Sequence, residues 1–225
     1  MDKNLAKQLS KKLKIPTSQI VRKEYEFVIL RELFSGKLRD KIVFKGGTAL
    51  RLAYGSPRFS DDLDFSSIKN IKTEDFLKTA VDITKINPNI TLGETVKKIN
   101  TLFALFKISD PSVSTNFSIK VEISTRKEIL KEGKDYSPVV LKSLVSPISL
   151  IANTMAIEKI LKDKIKIEPK RIRDIFDIWF IKQYLGEKNS KMDFSGFKKN
   201  EVKRELNKLL PTSYKSLLDE ITKNI

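Results

Sequence analysis

The chain has 225 residues, 40% of them hydrophobic and 32% charged, which is too apolar for disorder and long enough to build a core without disulfide or metal staples. It contains neither cysteine nor histidine. That excludes disulfides, thiolate and imidazole metal sites, cysteine nucleophiles and every Ser-His-Asp arrangement, so a bound metal must have oxygen ligands and would be Mg²⁺ or Mn²⁺. Lys and Arg outnumber Asp and Glu by 44 to 28, a formal charge of +16, which suits RNA, DNA or nucleotides as partners but equally describes a lysine-rich solvated surface.

The opening MDKNLAKQLSKKLKIP is basic but has no apolar h-region, and no stretch approaches 18 apolar residues. A soluble, cytoplasmic protein with no membrane span is therefore expected. Thr17 and Ser18 cap a helix that carries Ile20, Tyr25, Val28, Ile29 and Leu33 at helical spacing. Ile42, Val43 and Phe44 then read as a strand, Gly46-Gly47 as a tight turn, and TALRLAY as a new helix. In DDLDF the alternation puts Leu63 and Phe65 on one strand face and Asp62 and Asp64 on the other.

Thr73 opens a further helix, Asn87-Pro88-Asn89 marks a turn, and strands are expected at TLFALFKIS and NFSIKVEIST. In the second of these, Phe117, Ile119, Val121 and Ile123 share a face, while Lys120 and Glu122 project from the other. Beyond about residue 140 the pattern becomes helical. Ser146-Pro147 is read as the start of a helix running to about Lys164, and a second helix spans about Lys170 to Leu185. The lysine-rich tail adds one or two more helices. The expected domains are accordingly 1–140, an α/β lobe, and 141–225, a helical lobe.

Several side chains in this layout have the right type for phosphate or metal chemistry. A Gly-Gly-Thr turn at a helix start lets backbone N–H groups approach a phosphate, with the Thr48 hydroxyl as a further donor, although many structural turns look the same. The turn lacks the Gly-Lys-Ser/Thr of a Walker A loop. Asp62 and Asp64, about 7 Å apart along the strand, can bracket a hard cation or else pair as an exposed face with Arg51 or Arg58. Glu122 offers a third carboxylate, or a surface partner for Lys120 or Arg126. Read as a helix, the segment after Pro147 aligns Ile148, Ile151, Ala152 and Met155 with Lys159, whose ammonium then needs a phosphate, an internal acid or a route to solvent. On the apolar helix RIRDIFDIWFIKQYL, Asp174 and Asp177 must be functional, metal-bound or paired with Arg171, Arg173 or Lys159.

Taken in order, FKGGTALRL, RFSDDLDF, MAIEKI and RIRDIFDIW resemble the AbiEii/AbiGii-type nucleotidyltransferase toxins, which include the MenT toxins, within the DNA polymerase β-like superfamily. The resemblance implies an α+β fold, with a mixed sheet flanked by helices and then a helical lobe. It implies nucleotide binding by Lys45, Gly46, Gly47, Thr48 and Lys159, metal binding by Asp62, Asp64 and Glu122, and catalysis by Asp62, Asp64, Lys159 and Asp174. Asp174 would orient or deprotonate the acceptor hydroxyl, and Asp177 would be structural. It further implies Mg²⁺ or Mn²⁺, an NTP substrate, a tRNA 3′ end as acceptor and a cognate antitoxin as partner. The alternatives are transfer to a protein or small molecule, or a non-catalytic RNA- or antitoxin-binding protein on the same fold.

Overall fold

The computed structural model describes residues 1–187 and 190–223. Its element order is α1 (Lys3–Leu13), α2 (Thr17–Ser35), β1 (Ile42–Lys45), α3 (Gly46–Tyr54), β2 (Asp62–Ser67), α4 (Thr73–Ile86), β3 (Ile90–Lys98), β4 (Thr101–Ile108), β5 (Phe117–Ser124), β6 (Tyr136–Leu141), β7 (Leu150–Met155), α5 (Ile157–Ile165), α6 (Ile172–Tyr184), α7 (Lys199–Leu209), a 3₁₀ turn (Thr212–Tyr214) and α8 (Lys215–Lys223). The seven strands form one sheet in the order β3-β4-β5-β2-β1-β7-β6. It is mixed, because β1 runs parallel to β7 and β2 parallel to β5 while the other neighbours are antiparallel. The fold is α+β, as the sequence suggests.

Strand alternation divides the sheet into two faces. Ile42, Phe44, Leu63, Phe65, Ile119, Val121 and Ile123 pack in one cluster with α2 and α4 residues such as Phe27, Leu30, Phe76 and Ile83. The Phe44 and Phe65 rings lie 5.3 Å apart across the strand pair, and burying each contributes roughly 2–3 kcal/mol. Val43, Tyr136 and Met155 point to the opposite face, where they meet Ile157, Ile160 and Ile181 of α5 and α6. A third cluster joins α6 to α7 and α8 through Phe176, Val202, Leu206 and Leu218. One face of the sheet is therefore plain core, and the other is only partly filled.

The structure corrects the sequence reading in the segment after Pro147. That segment is not a helix to Lys164 but strand β7 followed by the shorter α5. Leu150, Ala152 and Thr154 turn one face inward while Ile151 stands 56% exposed, so the inferred helical stripe does not exist. A short apolar run fits either periodicity, and here pairing with both β6 and β1 decides for the strand. The sheet thus extends past residue 140, and the helical part of the chain begins at Ile157. Residues 188–189 and 224–225 of the expected helical lobe lie outside the described residues.

Three elements escape the sequence reading altogether. These are α1, whose Asp2 side chain accepts from the Asn4 and Leu5 N–H groups as an N-cap, and strands β3 and β6, which form the sheet's two edges. The helix expected to be capped by Thr17 or Ser18 begins at Thr17 itself, after Pro16, with no side-chain cap.

Candidate active site

The partly filled face holds a cavity of about 340 Å³ lined from three directions: the β1–α3 turn, the polar face of β2 and β5, and the facing ends of α5 and α6. Its floor is a row of side chains across three strands, because the register pairs Lys45 with Asp64 and Asp64 with Glu122. Asp62 stands two residues before Asp64 on the same face, with the Lys120 ammonium 3.9 Å away.

Asp64 has no cation within ion-pair reach among the described residues. Burial pushes the Asp64 carboxyl up to about 6, the negative charges of Asp62 and Glu122 push the same way, and Lys45 and Lys164 only partly oppose them. Hard oxygen donors placed side by side on one strand face have the chemistry that a divalent cation requires. Among the described residues no three acidic side chains form a ready-made metal cage, so Glu122 enters the site as the neighbour of Asp64 in the row.

The turn is tied tightly to this row. Gly46 has a φ of 80°, and a Cβ there would collide with the Asp64 carboxylate; a Cβ on Gly47 would collide with the Arg58 guanidinium. Both glycines are thus needed for close approach, and Gly46 also for its left-handed backbone. The α3 N-terminus has no side-chain cap, and its first residues Gly46 and Gly47 line the cavity, so this helix start is open to an anion. Thr48, expected to donate there, is buried and gives its hydroxyl to the Asp62 carbonyl at 2.6 Å. It fixes β2 against α3, and its donor is not available to a nucleotide.

The wall opposite is a network of charges. Asp174 and Asp177 are both 0% exposed. Asp177 receives Arg58 through Nε at 2.5 Å and Nη2 at 2.6 Å, and Lys164 at 2.6 Å. Asp174 receives Arg171 Nε at 2.6 Å and Lys164 at 3.3 Å. Burial alone would raise both carboxyls. The Arg171 hydrogen bond and the Lys164 charge instead bring Asp174 down to about 2, and Arg58 with Lys164 brings Asp177 below its ordinary value.

The lysine on this wall is Lys164, where the sequence reading expected Lys159. On the true helix the buried stripe runs Ile157, Ile160, Lys164, so the same spacing argument, started at the correct residue, ends five positions later. Lys159 is held by Glu128 at 2.5 Å and Asp163 at 2.6 Å, away from the cavity lining. Although burial disfavours its charge, those two acids raise its pKa.

Arg58, considered from sequence only as a partner for Asp62 and Asp64, is instead the link from their loop to α6. Of the cavity's cations, Arg58, Lys164 and Arg171 are paired to Asp174 or Asp177, whereas Lys45 and Arg173 have no carboxylate within ion-pair reach among the described residues. Burial lowers the Lys45 pKa, partly offset by Asp163, Asp64 and Glu128.

Comparison with known proteins agrees with this architecture. The family model for the nucleotidyl transferase AbiEii toxin of type IV TA systems matches residues 28–221. No curated protein matches the chain. Among solved structures, JHP933 from Helicobacter pylori is 24% identical over 76% of this chain and 68% of its own, with a TM-score of 0.54. A candidate nucleotidyltransferase from Helicobacter pylori is 22% identical over 86% and 80%, with a TM-score of 0.57. The MenT4 nucleotidyltransferase toxin of Mycobacterium tuberculosis H37Rv is 17% identical over 84% of this chain and 62% of its own, with a TM-score of 0.51. At these identities the likeness is one of fold.

Proposed function

Because the chain belongs to the AbiEii family of nucleotidyl transferase toxins, we propose that it transfers a nucleoside monophosphate from an NTP to an acceptor hydroxyl, with the 3′ end of tRNA as acceptor and pyrophosphate as leaving group. The observation that carries this reading is the Lys45–Asp64–Glu122 row, with Asp62 beside it, facing Lys164 across a cavity of nucleotide size. As a member of a toxin–antitoxin family, it would be held in check by a cognate antitoxin. No helix among the described residues is long and apolar enough to cross a membrane.

In this mechanism the α3 N-terminus, Lys45 and Arg173 receive the triphosphate, and the two glycines admit it close to the backbone. Asp62 and Asp64 would hold Mg²⁺ or Mn²⁺. When bound, that ion supplies the charge stabilisation that a chain without histidine otherwise lacks. Lys164, presented by Asp174 and Asp177, adds a fixed positive charge on the far wall. An acid held at about 2 is a poor proton acceptor at neutral pH. We therefore assign Asp174 to positioning Lys164, not to deprotonating the acceptor.

Incubation with each labelled NTP, Mg²⁺, total RNA and total protein tests the reading directly. Label should enter the RNA fraction and be absent with the Asp62→Ala/Asp64→Ala variant. Label in protein alone would replace the acceptor, and label in no fraction, small molecules included, would remove the transferase reading.

A further inference from the structure

Beside the catalytic cavity lies a second depression of about 730 Å³. It is framed by the residues that follow β2 and β5, and its rim carries Lys69, Lys97, Arg126 and Lys127 against one acid, Glu128. All four cations are exposed. Among the described residues, the ion pair that reaches this groove is that of Glu128 with Lys159. Ser67, at the end of β2, and Thr125, just after β5, stand three residues beyond Asp64 and Glu122, a displacement of about 10 Å that also turns toward the other face of the sheet.

The groove and the cavity meet at one cluster. The Lys159 ammonium lies between Glu128, at 2.5 Å on the groove side, and Asp163, at 2.6 Å, which lines the cavity. A ligand that occupies both spaces must pass this junction. It must also carry repeated negative charge along the groove and end in a group small enough for the cavity.

We propose that the groove is the track for the acceptor: a single-stranded RNA whose phosphodiester backbone lies along Lys69, Lys97, Arg126 and Lys127, and whose terminal hydroxyl enters the cavity past Lys159. This rests on the reading of the cavity as a nucleotidyl-transfer site. An acidic protein surface would meet the same charges, but the groove offers it little apolar centre. Ile71 and Leu102 are buried in the floor, while Ile129, 90% exposed, stands out as a separate apolar side chain. Protein interfaces draw on a contiguous apolar core, whereas phosphate contacts need only placed cations.

The test is binding of a labelled single-stranded RNA oligonucleotide with a free 3′ hydroxyl to the full chain, followed by anisotropy over a range of salt. It compares the unaltered protein with a combined Lys69→Glu, Lys97→Glu, Arg126→Glu and Lys127→Glu variant. NTP affinity in Mg²⁺ is measured separately. Loss of four single-strand phosphate contacts should cut RNA affinity at least about 30-fold at low salt and reduce the slope of log affinity against log salt by roughly 3. NTP affinity should stay within about twofold, which also shows that the variant is folded. Lys127→Ala alone should lower the slope by about 0.7. Unchanged affinity and slope would overturn the proposal, as would displacement of the RNA by an acidic peptide of equal charge at equal concentration. If the unaltered chain binds RNA with the expected slope but labels it with no NTP, the groove stands and the transfer reading falls.

Discussion

The two pairs of aspartates in this protein have opposite electrostatic surroundings. Asp62 and Asp64 lie on a strand beside Glu122, and burial with mutual repulsion raises Asp64 to about 6. Asp174 and Asp177 lie on a helix with no exposed surface, yet Arg58, Lys164 and Arg171 surround them and both carboxyls are lowered. A carboxylate pair saturated by internal cations is scaffold, since a buried charge is stable only when paired. A pair left short of positive charge has room for a cation from outside.

The contrast is broken most severely by Asp177→Ala. It leaves Arg58 and Lys164 buried without a shared partner, and it should cost about 3–5 kcal/mol in urea unfolding. By contrast, Asp64→Asn should lower labelling of the acceptor by about 10²–10³-fold while raising the melting temperature at pH 7. The sign follows from its raised carboxyl. Stability associated with this group is full below its ordinary 3.8 and is lost as pH rises through about 6, a loss of roughly 3 kcal/mol that the amide avoids. Melting curves at pH 4 and pH 7 should show the gap between Asp64→Asn and the parent widening with pH; a constant gap would contradict the assignment. Asp174 has the reverse sign. Its contribution is present above 3.8 and is lost only as pH falls through about 2.

The two lysines of α5 sharpen the same comparison. Lys164→Met should reduce turnover by about 10²-fold, whereas Lys159→Met should leave turnover within about threefold, because Lys164 lines the cavity and Lys159 does not. Steady-state kinetics on both variants decides between them. The smallest effect is expected from Thr48→Val, which leaves the Asp62 carbonyl without its donor and should cost about 1–2 kcal/mol in the same urea measurement.

The half of the site made by Lys45, Gly46, Gly47, Asp62 and Asp64 was legible in the sequence because its logic is local. A glycine pair between a strand and a helix, followed by alternating acids, needs no distant partner to be read. The other half was not. Finding Lys164 requires knowing that α5 starts at Ile157, and that start depends on β7 pairing with β1, a tertiary fact. The role of Arg58 depends on Asp177, which no local pattern links to it. Strands β3 and β6 were missed because an edge strand exposes much of its length and shows no clean alternation. Asp174 and Asp177 were legible as residues in need of partners, though not as to which partners they have.

The bond between Arg58 and Asp177 spans 119 residues. At ribosomal rates of roughly 5–20 residues per second, on the order of ten seconds separates the synthesis of the two side chains. Throughout that interval the nascent chain carries the glycine turn and the first acid pair without the wall that faces them. A chain that ends before α6 leaves Arg58 without its buried carboxylate partner, so the tie between the two walls of the cavity forms only once α6 has been made.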